Sequence, residues 1–245
     1  MFLEIRDVTL HVLSFGVDIE EGSGSYRIAT DMRTRGLADF FIGMKLDSQA
    51  VGRLQSGGEL LPFRYLNQAK FGRRERSVLV EPKGDGLFRV ETTGREEAEE
   101  RTPIPAGSLR GAIDPLSAIL RASRTVAGTG SCQQRVPVFD GRRRYDLVFT
   151  DEGQRQLTPS SYSAFAGPAR LCRVRQERIG GFVKDAHEKE LGRESVLWIA
   201  APMRGAPPVP VKLELDTSWG WLTVHLDEIS SQSGTVRLAR NSPEK

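Results

Sequence analysis

The feature that most constrains this chain is a period-two alternation of apolar and polar residues that recurs along most of its length. Ile42, Met44, Leu46 and Ala50 alternate with Lys45, Asp47 and Gln49, and Val209, Val211, Leu213 and Leu215 alternate with Lys212, Glu214 and Asp216. Side chains two apart in a strand share a face, so each run has one dry side and one wet side. Further strands are expected over 8–13, 25–34, 59–70, 76–81, 86–91, 169–179, 195–201, 220–229 and 234–239. Their turns are marked by EGSGS, QSGGE, PKGDG and SQSG, rich in residues that accept positive φ. A chain of 245 residues can bury one substantial core, so the expectation is a single β-rich domain over 1–245.

One segment breaks the rhythm. In GAIDPLSAILRASRTVAG, Asp114 fits an N-cap, Pro115 sits at the first helical position, and Leu116, Ile119, Leu120 and Ser123 follow helical spacing. The spacing predicts a helix over 115–125, with a stripe so short that it must dock on a sheet to be stable. Two stretches read as long loops: 92–107, charged and then proline-rich, and 150–169, rich in small and polar residues.

The stretch RVPVFDGRRRYDLVF, residues 135–149, places Asp140-Gly141 between two strand-like runs. That dipeptide predicts a hairpin with a type I′ turn, which needs positive φ at both central residues. Arg143, Tyr145, Leu147 and Phe149 then share one face, and Arg142, Arg144, Asp146 and Val148 the other. The arginines are split between faces, so they read as solvated strand ends rather than an anion grip.

No apolar run approaches the length of a membrane-spanning helix. The 35 basic residues are nearly balanced by 32 acidic ones, a formal net charge of +3 that gives little general attraction to nucleic acid. RLCRVRQERIGGF puts Arg173 and Arg175 on one face, but no interleaved aromatics accompany them. The start, MFLEIRDVTLHVL, shows no positively charged leader, so the chain is cytoplasmic or a secretion signal lies upstream. Cys132 and Cys172 are either buried small hydrophobes or a pair closing about 40 residues, for which chain entropy gives roughly 4 kcal/mol.

Motifs for catalysis are weak. HEKEL at 187–191 begins like a zinc-protease helix, but Leu191 stands where the second histidine belongs, and only His11 and His225 remain elsewhere. GSGS at 22–25 lacks the lysine of a phosphate loop, and no G-x-S-x-G elbow occurs. No catalytic residue, metal ligand or cofactor is therefore assigned, and a hydrolase would need a cluster that converges only in space. In DTSWGWLTVHLDEI, Leu222, Val224 and Leu226 define one strand face and Trp219, Trp221, Thr223 and His225 the other. Trp219, Trp221 and His225 are candidates for lining an apolar ligand groove or a partner surface, unless a loop or the helix covers them.

The ordered segments DPLSAIL, CQQRVPVFDGRRRYDLVF, CRVRQERIGGF and WIAAPMRGAPPVPVKLELDTSWGWLTVHL, preceded by YRIATDMRTRGLADFF, resemble the bacterial domain-of-unknown-function family three-one-zero-eight. The resemblance implies an exported, periplasmic protein in which Cys132 and Cys172 pair. It also implies a long antiparallel sheet curled into a half-barrel or spiral with the helix in its mouth, distantly similar to envelope lipoprotein carriers. The leading functional expectation is a non-enzymatic envelope protein that binds a hydrophobic, lipid-like ligand and supports envelope integrity. The alternative is an interaction module that docks on an envelope protein through the tryptophan face.

Overall fold

A computed structural model describes residues 2–5, 8–11, 13–22, 24–36, 39, 43–55, 58–94, 100–184, 194–217, 220–231 and 234–237. Trp219 and the HEKEL segment lie outside the described residues. The strands of the N-terminal half are β1 (Phe2–Ile5), β2 (Val8–His11), β3 (Leu13–Gly22), β4 (Ser25–Thr34), β5 (Met44–Leu54), β6 (Leu60–Phe71), β7 (Arg74–Gly84) and β8 (Leu87–Thr93). Helix α1 (Pro115–Thr129) follows. After it come β9 (Gln134–Phe139), β10 (Arg144–Leu157), β11 (Gly167–Gly180), β12 (Glu194–Ala200), β13 (Val209–Thr217), β14 (Gly220–His225), β15 (Glu228–Ser231) and β16 (Gly234–Arg237).

The fold is mainly antiparallel β with one main helix, and its strands divide between sheets that do not close. β3 to β8 form a six-stranded meander. β9 to β14 form a second meander, widened to eight strands by β1 and β2, which pair onto β14 through contacts such as Phe2↔Thr223. β15 and β16 make a separate hairpin. The expected single long sheet is thus interrupted. The segment 94–133, which carries α1, stands between β8 and β9, and a connection of that length releases the two strands from hairpin pairing. The expected strand 220–229 likewise breaks at residues 226–227 into β14 and β15, and the expected loop 150–169 shrinks to 158–166.

Helix α1 is the wedge between the two sheets. Asp114 in extended conformation (φ −73°, ψ 161°) caps it, accepting from the Ser117 amide at 2.9 Å, and Pro115 opens its first turn. It runs four residues beyond the expected end. Thr125 and Thr129 bond back to the carbonyls of Arg121 and Thr125 at 2.9 and 2.8 Å, and Gly130, at φ +71°, closes the helix by donating its backbone N–H to Val126 O. Ala118 and Ala122 face Val136, Val138, Phe149, Val174, Leu197 and Ile199 of the eight-stranded sheet. Leu120 faces Tyr26, Ile28 and Leu60 of the six-stranded one. Leu120→Ala would open a cavity costing about 2–5 kcal/mol there.

Cys132 and Cys172 form a disulfide with a Cα–Cα distance of 6.2 Å, as the family resemblance implied. It joins the stretch after α1 to the middle of β11, reaching across β10, and both cysteines are fully buried in the helix-facing core.

The β9–β10 connection is a hairpin, but not of the expected type. Phe139 pairs with Arg144 around a four-residue loop, and only Gly141 adopts positive φ, at +92°. Asp140 replaces the second left-handed residue by accepting from the Arg142 and Arg143 amides at 3.0 and 2.7 Å. Its tip is not solvated either: Gly141 lies against Val78 and Val80 of the six-stranded sheet. Arg144, expected at a solvated strand end, is 5% exposed and donates to Ser108 O, Tyr145 O and Asp146 Oδ1 at 2.5–2.6 Å. Those bonds answer the guanidinium's lost hydration.

Candidate functional site

The six-stranded sheet has two halves on the face it turns toward α1. Strand register writes that face as rows. One row is Ile19, Ile28, Ala50, Tyr65 and Val80; the next is Val17, Thr30, Ser48, Asn67 and Val78; the next is Phe15, Met32, Leu46 and Ala69; the last is Leu13, Thr34, Met44 and Phe71. The first row is largely closed: Ile28, Ala50, Tyr65 and Val80 are buried beneath α1, Phe139 and the β9–β10 tip.

Below that cover the face opens while staying apolar. Phe15 is 48% exposed, Val17 51% and Phe71 51%, and Met32, Met44 and Leu46 between them are half-buried. Across the boundary runs a short polar band. Asn67 Nδ2 donates to Ser48 Oγ at 2.8 Å, and the Tyr65 hydroxyl lies beside both side chains. Burial raises the Tyr65 phenol well above its ordinary value, so it stays neutral at any physiological pH. An apolar chain could lie on the lower rows while a polar end met this band.

A second polar chain lies deeper. Ser117 Oγ donates to Asp114 Oδ2 at 2.6 Å and stands 2.8 Å from the Tyr26 hydroxyl. Burial raises the Asp114 carboxyl to about 6, against the pull of its bonds from Ser117. Ser117 is completely buried, so this serine and carboxylate fasten the helix and offer no room for a substrate.

The tryptophan face lies elsewhere. On β13 and β14, Leu213 and Val224 continue the helix-facing side of the eight-stranded sheet, which puts Trp221, Thr223 and His225 on its opposite side. Trp221 is 50% exposed there. His225 is half-buried, 6.2 Å from the Tyr162 ring, and lowered to about 4 by burial and by nearby Lys212. Lys212 lies over Trp198, whose Nε1 donates to Glu214 at 2.8 Å. Arg173 and Arg175 share this charged side, held by Glu152 and Glu177 at 2.5 and 2.6 Å, so they are not an open basic patch. Among the described residues no group of three or more His, Cys, Asp or Glu side chains is placed to hold a metal ion, and no helix is long and apolar enough to cross a membrane.

The open rows draw on β3, a strand absent from the sequence expectations. Its signal was present: Leu13, Phe15, Val17 and Ile19 alternate with Ser14, Gly16, Asp18 and Glu20. A family model described as a protein of unknown function (DUF3108) matches residues 2–227. The chain belongs to that family. No curated protein and no solved structure matches it. The DUF3108 match takes in both meanders, α1 and both cysteines, so the helix-wedged arrangement falls within the region the family model spans.

Proposed function

We propose that this DUF3108 protein is a non-enzymatic binder of a hydrophobic ligand, an acyl chain or lipid-like molecule, held against the open rows of the six-stranded sheet. The observation that carries the reading is the exposure of Phe15, Val17 and Phe71 on the same face that α1 covers higher up. A contiguous apolar face left open on a soluble sheet is costly unless something occupies it. The helix serves as a fixed stopper that sets the depth of the site. The disulfide supports residence in an oxidising compartment such as the periplasm, because cytosolic thiols are kept reduced.

The test is uptake of a fluorescent fatty acid, together with native mass spectrometry of gently purified protein. Leu46→Asp should weaken uptake by roughly tenfold or more, since a carboxylate there must be desolvated by the bound chain. Trp221→Ser should leave it unchanged. Absence of any uptake, or loss on Trp221→Ser alone, would overturn the assignment of the site to this face.

A further inference from the structure

A sheet edge presents unpaired amide and carbonyl groups, and natural sheets cover or blunt theirs. In the eight-stranded sheet the β9 edge is covered. Ile113 runs parallel beside Val138, donating to Pro137 O at 2.9 Å and accepting from the Phe139 amide at 2.9 Å. In the six-stranded sheet the β8 edge is abutted by the β9–β10 tip at Val90, and Gly86 beside it packs on Arg110. The β3 edge, over residues 14–22, is the longest of those that no strand pairs among the described residues: β3 has ten residues, against seven in β8 and four in β2.

The two faces of β3 carry opposite chemistry. Toward α1 it shows Phe15, Val17 and Ile19, exposed by 48%, 51% and 37%. On the far face it borders a groove of about 450 Å³ that passes Gly16 and Ala29 and runs over β4 and β5 to Leu66 and Gln68. Asp18, Asp31 and Asp47 line this groove, and among the described residues Arg27 stands beside its lining, donating to Gln49 at 2.7 and 2.9 Å and lying 3.5 Å from Glu20. Lys45 reaches Asp47 at 2.6 Å and Arg33 stands 3.8 Å from Asp31 from outside the lining, whereas Asp18 makes no ion pair among the described residues.

We propose that β3 accepts an extended strand from a partner polypeptide whose side chains alternate basic and apolar. Strand addition satisfies the open backbone groups, and strand alternation sends every second side chain to the same face. The basic set then lies over the acidic groove, and the apolar set extends the row of Phe15, Val17 and Ile19. Charge selects the occupant: a second copy of β3 would bring its own Asp18, which makes no ion pair among the described residues, to the acidic face and be repelled. The open rows of the proposed ligand site lie inward of this edge, so the two occupants would be neighbours.

The experiment is amide hydrogen exchange on the full chain, following residues 13–22, with a peptide of about twelve residues alternating valine and lysine and a control alternating valine and glutamate. The valine–lysine peptide should slow exchange by roughly tenfold or more at the alternate β3 amides that point away from β4, and the control should not. Asp18→Lys with Asp31→Lys should abolish that protection while leaving fatty-acid uptake unchanged, which separates this inference from the ligand-binding reading. Val17→Pro, which removes an amide from the edge but keeps the charges, should abolish it too; if that variant fails to melt cooperatively, Val17→Lys replaces it. The inference is overturned if the alternate β3 amides that point away from β4 already exchange slowly without peptide, if neither peptide protects them, if both protect equally, or if protection survives loss of the edge.

Discussion

The Tyr26 hydroxyl stands 2.8 Å from the Ser117 hydroxyl across 91 residues of sequence, and this buried contact fastens the six-stranded sheet to helix α1. Tyr26→Phe keeps the ring packed on Leu120 and Ile28 and removes only the hydroxyl, so it should cost about 1 kcal/mol. Tyr26→Ala also removes the ring and should cost about 3–5 kcal/mol. Urea midpoints at constant slope measure both, and equal losses would mean that the hydroxyl rather than the ring carries the seam.

Asp114 should make that seam pH-dependent. Its carboxyl is raised by burial from 3.8 to about 6, so the folded protein holds the proton more tightly than the unfolded chain. The associated stabilisation is complete below about pH 3.8 and is lost as pH rises through about 6, a span worth about 3 kcal/mol. Asp146 and Asp151, both lowered by their partners, act in the opposite sense and lose their contribution as pH falls through their depressed values. Asp114→Asn retains a capping acceptor and should flatten the wild-type difference between pH 4 and 7. Urea unfolding of both proteins across that range tests it: parallel pH profiles would show that Asp114 does not titrate there.

Much of this architecture was legible in local pattern. The alternations in β5 and β13 and the Asp114–Pro115 start of α1 each follow from side-chain spacing and capping, which act over a few residues. What the pattern could not reveal was assignment to sheets. Both meanders have the same period, and only the helix-bearing segment between β8 and β9 shows that they part. The arginines after Gly141 misled for a related reason: Arg144 is buried through bonds to Ser108 and Asp146, and Ser108 lies in a loop far away in sequence. Trp221 drew attention as a large aromatic on a polar face. The open apolar rows instead combine ordinary residues from β3, β4, β5 and β6, which no single segment displays.

Gly141 should be intolerant of any side chain. A Cβ there would come within 2.4 Å of Val78 Cγ1 and 2.8 Å of Val80 Cγ2, and the backbone sits at φ +92°. Gly141→Ala should therefore cost about 2–4 kcal/mol, by strain and by lifting the hairpin tip off the six-stranded sheet. Exchange of the Val78 and Val80 amides should quicken in the variant. Unchanged exchange with lowered stability would place the damage in the loop alone.

The Cys132–Cys172 disulfide should hold the end of α1 in place as well as the core. Closing 40 residues restricts the unfolded chain by an amount worth about 4 kcal/mol in the loop-entropy account, equivalent to roughly 10 °C in melting temperature for a chain of this size. Protein isolated from its native compartment and unfolded without reductant should titrate no free thiol, since the chain has only these two cysteines. Reduction of the wild type, and Cys132→Ala with Cys172→Ala, should each lower the melting temperature by about that amount. Because the bond anchors the stretch that follows Gly130, exchange should quicken first in the last turn of α1, where Val126 and Thr129 lie. If reduced and oxidised proteins melt together, the buried sulfurs contribute only packing, and the fastening of α1 rests on its two packed faces and the Asp114–Ser117–Tyr26 end.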